Sequence, residues 1–374
     1  MNGTRRVIWF WQRIVSPHMA GLATALARQG CEVTYVAEQV MSADRARQGW
    51  APPDLNPARQ EVAATASAIE ALVNAAPPDS IHICQGIRSN GLVGKAQIVL
   101  AKRGLRQWVV METVEDSGWR GVLKRLEYRR LFGRWRGQIH GVLATGHHTP
   151  EWVIARGMPA EQVFPFAYFL PEQASSISGV SDKARRFRFV FVGQFVERKR
   201  LDLLIAALGK LQRTDVELTL IGSGPLEFEL RAAAEAVLPG RVNWIGQLPV
   251  EKVPQVMATA DCLVLPSRHD GWGAVVSEAL MVGTPAICSD RCGSAGVVRA
   301  SGHGGVFRSG DVSSLVVELE RVLANGRLSD FERLSLAEWA RCLGADAGAS
   351  YLQRVLDYAD DRLNRPIPPW ETVF

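Results

Sequence analysis

Asp270 and Glu278 are separated by seven residues in HDGWGAVVSE, residues 269–278. Between them lie Gly271, Trp272, Gly273 and a short apolar run. The two glycines permit positive φ and let backbone approach a ligand closely. The run that follows reads as a helix. Its first amides, those of Ala274 and Val275, have no acceptor within the helix and sit at the positive end of its dipole. An anion suits that position, phosphate above all. Glu278 falls inside AVVSEALMVG, an otherwise apolar helix in which an unpaired carboxylate is costly to bury. Either Arg291 or Arg299 pairs with it, or it accepts hydrogen bonds from a ligand that offers hydroxyls, as the two adjacent hydroxyls of a sugar or ribose would. For Asp270 the plainer role is a turn or cap residue. Trp272 either stacks on a ligand or wedges the loop, and the wedge is the preferred reading.

Two more loops carry related chemistry. FRFVFV, residues 187–192, runs into Gly193, Gln194 and a basic cluster, Arg198-Lys199-Arg200. Lys199, or Arg198 beside it, is a cation that can reach a phosphate. ELTLI runs into Gly222-Ser223-Gly224-Pro225. This is not a dinucleotide loop, because Glu227 stands where the third glycine of G-x-G-x-x-G is required.

The elements that must hold these loops alternate. Short apolar runs at Val7–Trp11, Cys31–Ala37, Ser80–Cys84 and Gln107–Met111 read as buried strands, with a helix at Met19–Arg28. Residues 171–186, PEQASSISGVSDKARR, are polar and aperiodic and read as a linker. The alternation then resumes: strands at Phe187–Val192, Val216–Ile221, Val242–Ile245, Cys262–Leu265 and Pro285–Cys288, with helices at Arg200–Leu211, Glu227–Val237, Val253–Ala258 and Ala274–Val282. Strands alternating with helices imply parallel sheets with right-handed crossovers. Ligands of such sheets bind beyond the carboxyl ends of the strands, where all three loops lie.

The chain has 374 residues, too many for one ordinary core, so two domains are expected. Hydrophobic residues make up 47% and charged residues 22%, which argues against extensive disorder. The opening MNGTRRVIWFWQR is a poor secretory leader, and no apolar run is long enough to span a membrane, so a cytoplasmic location is expected. The six cysteines sit mostly in apolar settings and read as buried free thiols. Cys288 and Cys292 lack a second Cys/His pair at zinc spacing, so no metal site is assigned.

The net charge of +5 is uneven. Residues 119–137, WRGVLKRLEYRRLFGRWRG, hold seven Lys and Arg against Glu127 alone, with leucines and aromatics interleaved. Such a segment can lie on an anionic bilayer as a peripheral contact on the inner face of the membrane. The bland reading is a solvated helix whose leucines enter the core. Nucleic acid is not expected, because no recognition motif accompanies the basic patch.

FVGQFVERKRLDLLIAAL, LTLIGSGPLEFELR, VNWIGQLP and LPSRHDGWGAVVSEALMVGTPAICSDRCGS follow one another at intervals that resemble the carboxyl-terminal half of retaining glycosyltransferase family 4, the glycosyl transferases group 1. The resemblance is dense over 187–310 and thinner over the first 170 residues. It implies an α/β protein of GT-B fold, with two doubly wound Rossmann-like domains facing across a cleft. The acceptor domain would span 1–170, the linker 171–186, the nucleotide-sugar domain 187–345, and a helix and tail at 346–374 would cross back to the first domain.

The family's E-x7-E pair maps onto Asp270 and Glu278. The resemblance assigns Glu278 to the ribose and Asp270, one methylene shorter than usual, to the donor sugar. The family's two first-loop bases map onto Gln194 and Lys199. The usual arginine is therefore glutamine, and Arg198 is the base that can replace it. Gly222, Gly246, Gly273, Ala274 and Val275 complete the expected donor side. The histidine common near the fourth strand of the first domain is not carried over, since Glu112 stands roughly there. His18, Glu112 and Asp116, with Glu115, are the acceptor-side candidates.

The resemblance further implies a hexosyl or other glycosyl transfer from a nucleotide-diphosphate sugar to a saccharide hydroxyl, without metal or other cofactor and with retention of anomeric configuration. The acceptor would be lipid-linked, and the setting the assembly of a bacterial surface polysaccharide such as O-antigen, capsule or exopolysaccharide. A non-hydrolysing sugar-nucleotide epimerase and a non-catalytic donor-binding homologue are the competing readings.

Overall fold

The computed structural model describes residues 5–42, 51–88, 90–172, 186–361 and 364–372. Most of the expected linker, 173–185, lies outside the described residues. The chain forms two compact units, one running to Pro171 and taken up again from Leu343, the other built on Glu172–Cys342.

Among the described residues the first unit holds a seven-stranded sheet. Its strands are β1 (Val7–Gln12), β2 (Glu32–Ala37), β3 (Arg59–Val62), β4 (Ile81–Gln85), β5 (Arg106–Glu112), β6 (Ile139–Thr145) and β7 (Val163–Phe166). They lie in the order β3-β2-β1-β4-β5-β6-β7, and every pairing is parallel. β3, with sequence RQEV, escaped the apolar signal because it is an edge strand with largely exposed side chains. In the core of this sheet Trp11 Nε1 donates to His82 Nδ1 at 3.0 Å, and His82 Nε2 meets Ser80 Oγ at 2.9 Å. Burial holds that imidazole neutral, its pKa pushed down to about 3.

The second unit holds, among the described residues, a six-stranded sheet of β8 (Phe187–Val192), β9 (Val216–Ile221), β10 (Val242–Gly246), β11 (Cys262–Leu265), β12 (Ala286–Ser289) and β13 (Gly304–Phe307). The order is β10-β9-β8-β11-β12-β13, again parallel throughout. β11 and β12 are buried at every position, which is why they read as continuous apolar runs. The order reverses between β8 and β11, and a crevice opens at such a switch point. The loops after β8 and β11 are therefore the natural place for a site.

The helix Ala345–Asp361 belongs to the first unit. Tyr351 is buried there and its hydroxyl donates to Pro165 O at 3.0 Å. Arg365 in the tail lies over the Phe164 ring, 5.0 Å from its centre. The two ends of the chain's first unit are thus joined by an apolar helix face rather than by sequence proximity.

Candidate functional site

The loop after β8 is fastened from both sides. Phe195 N donates to Ser223 O at 2.9 Å, and Leu226 N donates to Phe195 O at 3.2 Å. Gly222 makes this possible: a Cβ there would stand 2.0 Å from Gly193 O. The Gly-Ser-Gly turn after β9 is thus a backbone junction that shapes the neighbouring loop. Gly246, at the end of β10, accepts from Gly222 N at 2.8 Å and extends the same junction.

On its other side the β8 loop meets the loop after β11. Arg268 N donates to Arg198 O at 2.8 Å, and Arg198 Nη1 donates to His269 O at 3.0 Å. Lys199 Nζ lies 2.6 Å from Asp270 Oδ2, with both side chains only 14% exposed. Arg198 Nη1 is 3.6 Å from the same oxygen. The first acid of the pair is therefore tied to the lysine, a contact the sequence did not suggest. Gln194 is exposed one turn earlier. The helix of this loop starts at Leu201, because Arg200 is left-handed at φ 52 and binds Asp202.

Asp270 is held by backbone as well. Its N–H donates to Arg291 O at 3.2 Å and its carbonyl accepts from Gly293 N at 3.0 Å. Ser289 Oγ donates to Ser267 O at 2.6 Å beneath the same loop. The chain then turns at Gly273, φ 84, into the helix Ala274–Met281. No side chain caps this helix, so the amides of Ala274 and Val275 open its amino end. Trp272 is 2% exposed and donates from Nε1 to Ser277 Oγ at 3.1 Å, so it is a wedge in the loop.

Glu278 stands one turn into the helix, half-buried. Neither Arg291 nor Arg299 pairs with it, and among the described residues its carboxylate makes no hydrogen bond or ion pair. Burial pushes its pKa up from 4.5 to about 7. A carboxylate left in that state is poised to accept from hydroxyls that a ligand brings.

In the first unit, the structure brings two of the acceptor-side candidates together through a residue the sequence reading missed. The Tyr168 hydroxyl donates to Glu112 Oε1, and the Tyr168 ring stacks on His18 at 5.0 Å and 15°. His18 opens the helix Pro17–Arg28, Glu112 ends β5, and Tyr168 follows β7, so all three stand at carboxyl ends of strands. Tyr35 sets the loop before His18: its hydroxyl accepts from Ser16 N at 3.1 Å and donates to Ile14 O at 3.3 Å. The signal for Tyr168 was a lone polar aromatic among the phenylalanines of FPFAYF.

Asp116 is not part of that group. Trp152 Nε1 donates to it at 2.8 Å, and Arg125 and Arg156 pair with it at 3.2 and 3.3 Å. Glu115 accepts from the Ser117 hydroxyl. Among the described residues no cluster of His, Cys, Asp and Glu could hold a metal ion, and all six cysteines are free and buried.

Two doubly wound parallel sheets, with a basic loop and an uncapped helix at the switch point of the second, define the two-domain α/β fold of GT-B type. Residues 176–335, which lie within the second unit, match the family described as glycosyl transferases group 1. Over 143 residues the chain is 35% identical to the glycogen synthase of Halorhodospira halophila, a match that covers 36% of this chain and 30% of that one. It is 27% identical over 205 residues to the amylovoran biosynthesis glycosyltransferase AmsK of Erwinia amylovora, 52% of this chain and 49% of that. The chain thus spans half or less of the curated relatives it matches. Among solved structures, HepE of Anabaena in complex with UDP shares the fold across 94% of this chain and 99% of its own, with TM-score 0.73 and 16% identity.

Proposed function

We propose that this chain is a glycosyltransferase that moves a sugar from a nucleotide-diphosphate donor to a saccharide hydroxyl with retention of configuration. The observation that carries this reading is Glu278: a half-buried carboxylate without a partner among the described residues, on the helix whose open amino end adjoins the Lys199–Asp270 pair. Its unmet acceptors suit the paired hydroxyls of a ribose.

The rest of the site then has a role. The amides of Ala274 and Val275 face the diphosphate, and Lys199 turns from Asp270 toward it as negative charge grows on the leaving group. Arg198 supplies the charge that Gln194 lacks. Asp270, released from Lys199, accepts from the donor sugar. Charge stabilisation of this kind needs no metal. In the first unit, Glu112 and His18, joined through Tyr168, orient the acceptor. Support for a nucleotide sugar comes from the family match of the second unit and from the UDP complex of HepE. AmsK, by its description an amylovoran biosynthesis glycosyltransferase, is the relative that favours a biosynthetic saccharide acceptor; a surface polysaccharide built on a lipid-carried acceptor is part of the same proposal.

The test has two stages. Thermal shift against UDP, GDP, ADP and dTDP identifies the base, since a ligand of the folded state raises stability by mass action. The matching sugar nucleotide is then followed by NMR with a saccharide panel, and the product anomer is read from its coupling constant. No stabilisation by any of the four nucleotides would overturn the reading. Gln194 and the Lys199–Asp270 pair give a second reading, a homologue that binds donor without turnover. It predicts a nucleotide shift with no transfer to any acceptor.

A further inference from the structure

The helix Gly118–Trp135 is the most basic element among those described, and it leaves outside the core two of the leucines that the solvated-helix reading placed there. Leu123 and Leu126 are 57% and 52% exposed, and Trp119 is 70% exposed. The core contacts come from the opposite side, where Phe132 is buried and Tyr128, Leu131 and Trp135 pack around it. Trp119, Val122, Leu123 and Leu126 follow an i, i+3, i+4, i+7 spacing, so they form one outward stripe. The same face continues into Arg130, flanked by Arg129 and Arg134, all exposed. Among the described residues Arg129 and Arg130 make no ion pair.

Contacts at the start of the helix fix this stripe outward. Lys124 Nζ donates to Glu115 O, and Arg125 Nη1 to Asp116 O at 2.7 Å. Asp116 in turn binds Trp152 on the neighbouring helix Thr149–Ile154 and Arg156 in the turn that follows it. Glu127, the helix's acid, is paired with Arg88 at 2.8 Å. The inner cations thus anchor the helix, and the outer ones face solvent beside apolar side chains.

We propose that this face is a docking surface for an anionic phospholipid bilayer. Trp119, Val122, Leu123 and Leu126 enter the headgroup boundary, and Arg129, Arg130 and Arg134 contact lipid phosphates. A bilayer fits both halves of the face at once: apolar insertion at one end, charge complementarity at the other. Nucleic acid would use the arginines and leave the leucines idle. The surface would bring a lipid-carried acceptor to the enzyme, but docking does not depend on that activity.

The experiment is flotation of the full chain with vesicles of phosphatidylcholine alone or with about one third phosphatidylglycerol, at about 0.1 M salt, where surface charges still act over roughly 10 Å. Binding should need the anionic lipid. Each arginine near such a surface contributes about fivefold, so R129Q/R130Q/R134Q should lower partition about a hundredfold. L123S/L126S should also release the protein from the vesicles, a loss that binding through the arginines alone would not show. These residues are exposed, so melting temperature should hold in every variant. Equal flotation with neutral vesicles, or leucine variants that float like wild type, would overturn the proposal. A nucleotide thermal shift on the same preparations reports on the transferase reading separately, because it involves no lipid.

Discussion

Glu278→Gln removes a charge that the fold works against, and the size of the effect follows from the site. The ordinary pKa of the carboxyl is 4.5 and burial raises it to about 7. The folded state therefore holds the proton to higher pH than the unfolded state. The group's contribution to stability is complete below 4.5 and is lost as pH rises through 7. At about 1.4 kcal/mol per pH unit, the ionised carboxylate costs about 3 kcal/mol by pH 8, an upper bound because the side chain is only half-buried. Glutamine has nearly the same shape and no charge. The variant should match wild type at about pH 4.5 and exceed it by up to about 3 kcal/mol at about pH 8. At roughly 2–4 °C per kcal/mol that is a rise of several degrees in the melting of the second unit. Urea melts from about pH 4.5 to about pH 9 span this window and measure the effect directly. The nucleotide that binds should reverse the ranking, since it satisfies the Glu278 carboxylate in wild type, whereas the E278Q side-chain amide is a poorer acceptor. Parallel stability curves for the two proteins would refute the burial argument. Equal protection of both by the nucleotide would refute the ribose contact. The cost is what a site kept ready for ligand would show: stability given up where function needs an unmet group.

Two further variants probe the site. Lys199→Ala should weaken the free nucleoside diphosphate by about ten- to a hundredfold, the scale of a charged hydrogen bond, in isothermal titration; an unchanged affinity would remove Lys199 from the diphosphate site. Tyr168→Phe should leave nucleotide affinity intact, cost about 1 kcal/mol of stability in the first unit through the lost bond to Glu112, and lower transfer to the saccharide acceptor; a loss confined to stability would make Tyr168 structural.

Much of the second unit was legible because its inner strands, β11 and β12 above all, are buried on both faces and read as unbroken apolar runs, while the loops carry the glycines and bases. The edge strand Arg59–Val62 was not legible, since its side chains are largely exposed and no apolar pattern is required. The basic helix was half legible. Its charge showed in the composition, but which side its leucines face depends on where Phe132 and Tyr128 find a core.

The sequence by itself determined the doubly wound halves, the uncapped helix start at Gly273, and the oddity of an acid inside AVVSEALMVG, because each is a local pattern of period or type. Only the tertiary structure decided that Asp270 is bonded to Lys199 while Glu278, among the described residues, is bonded to nothing, and that Tyr168 joins Glu112 to His18. Asp270 and Lys199 lie seventy-one positions apart, and they meet because β8 and β11 are neighbours at the switch point of one sheet. Pairing of charges is a matter of distance in space, and strand order, which no single segment encodes, sets that distance.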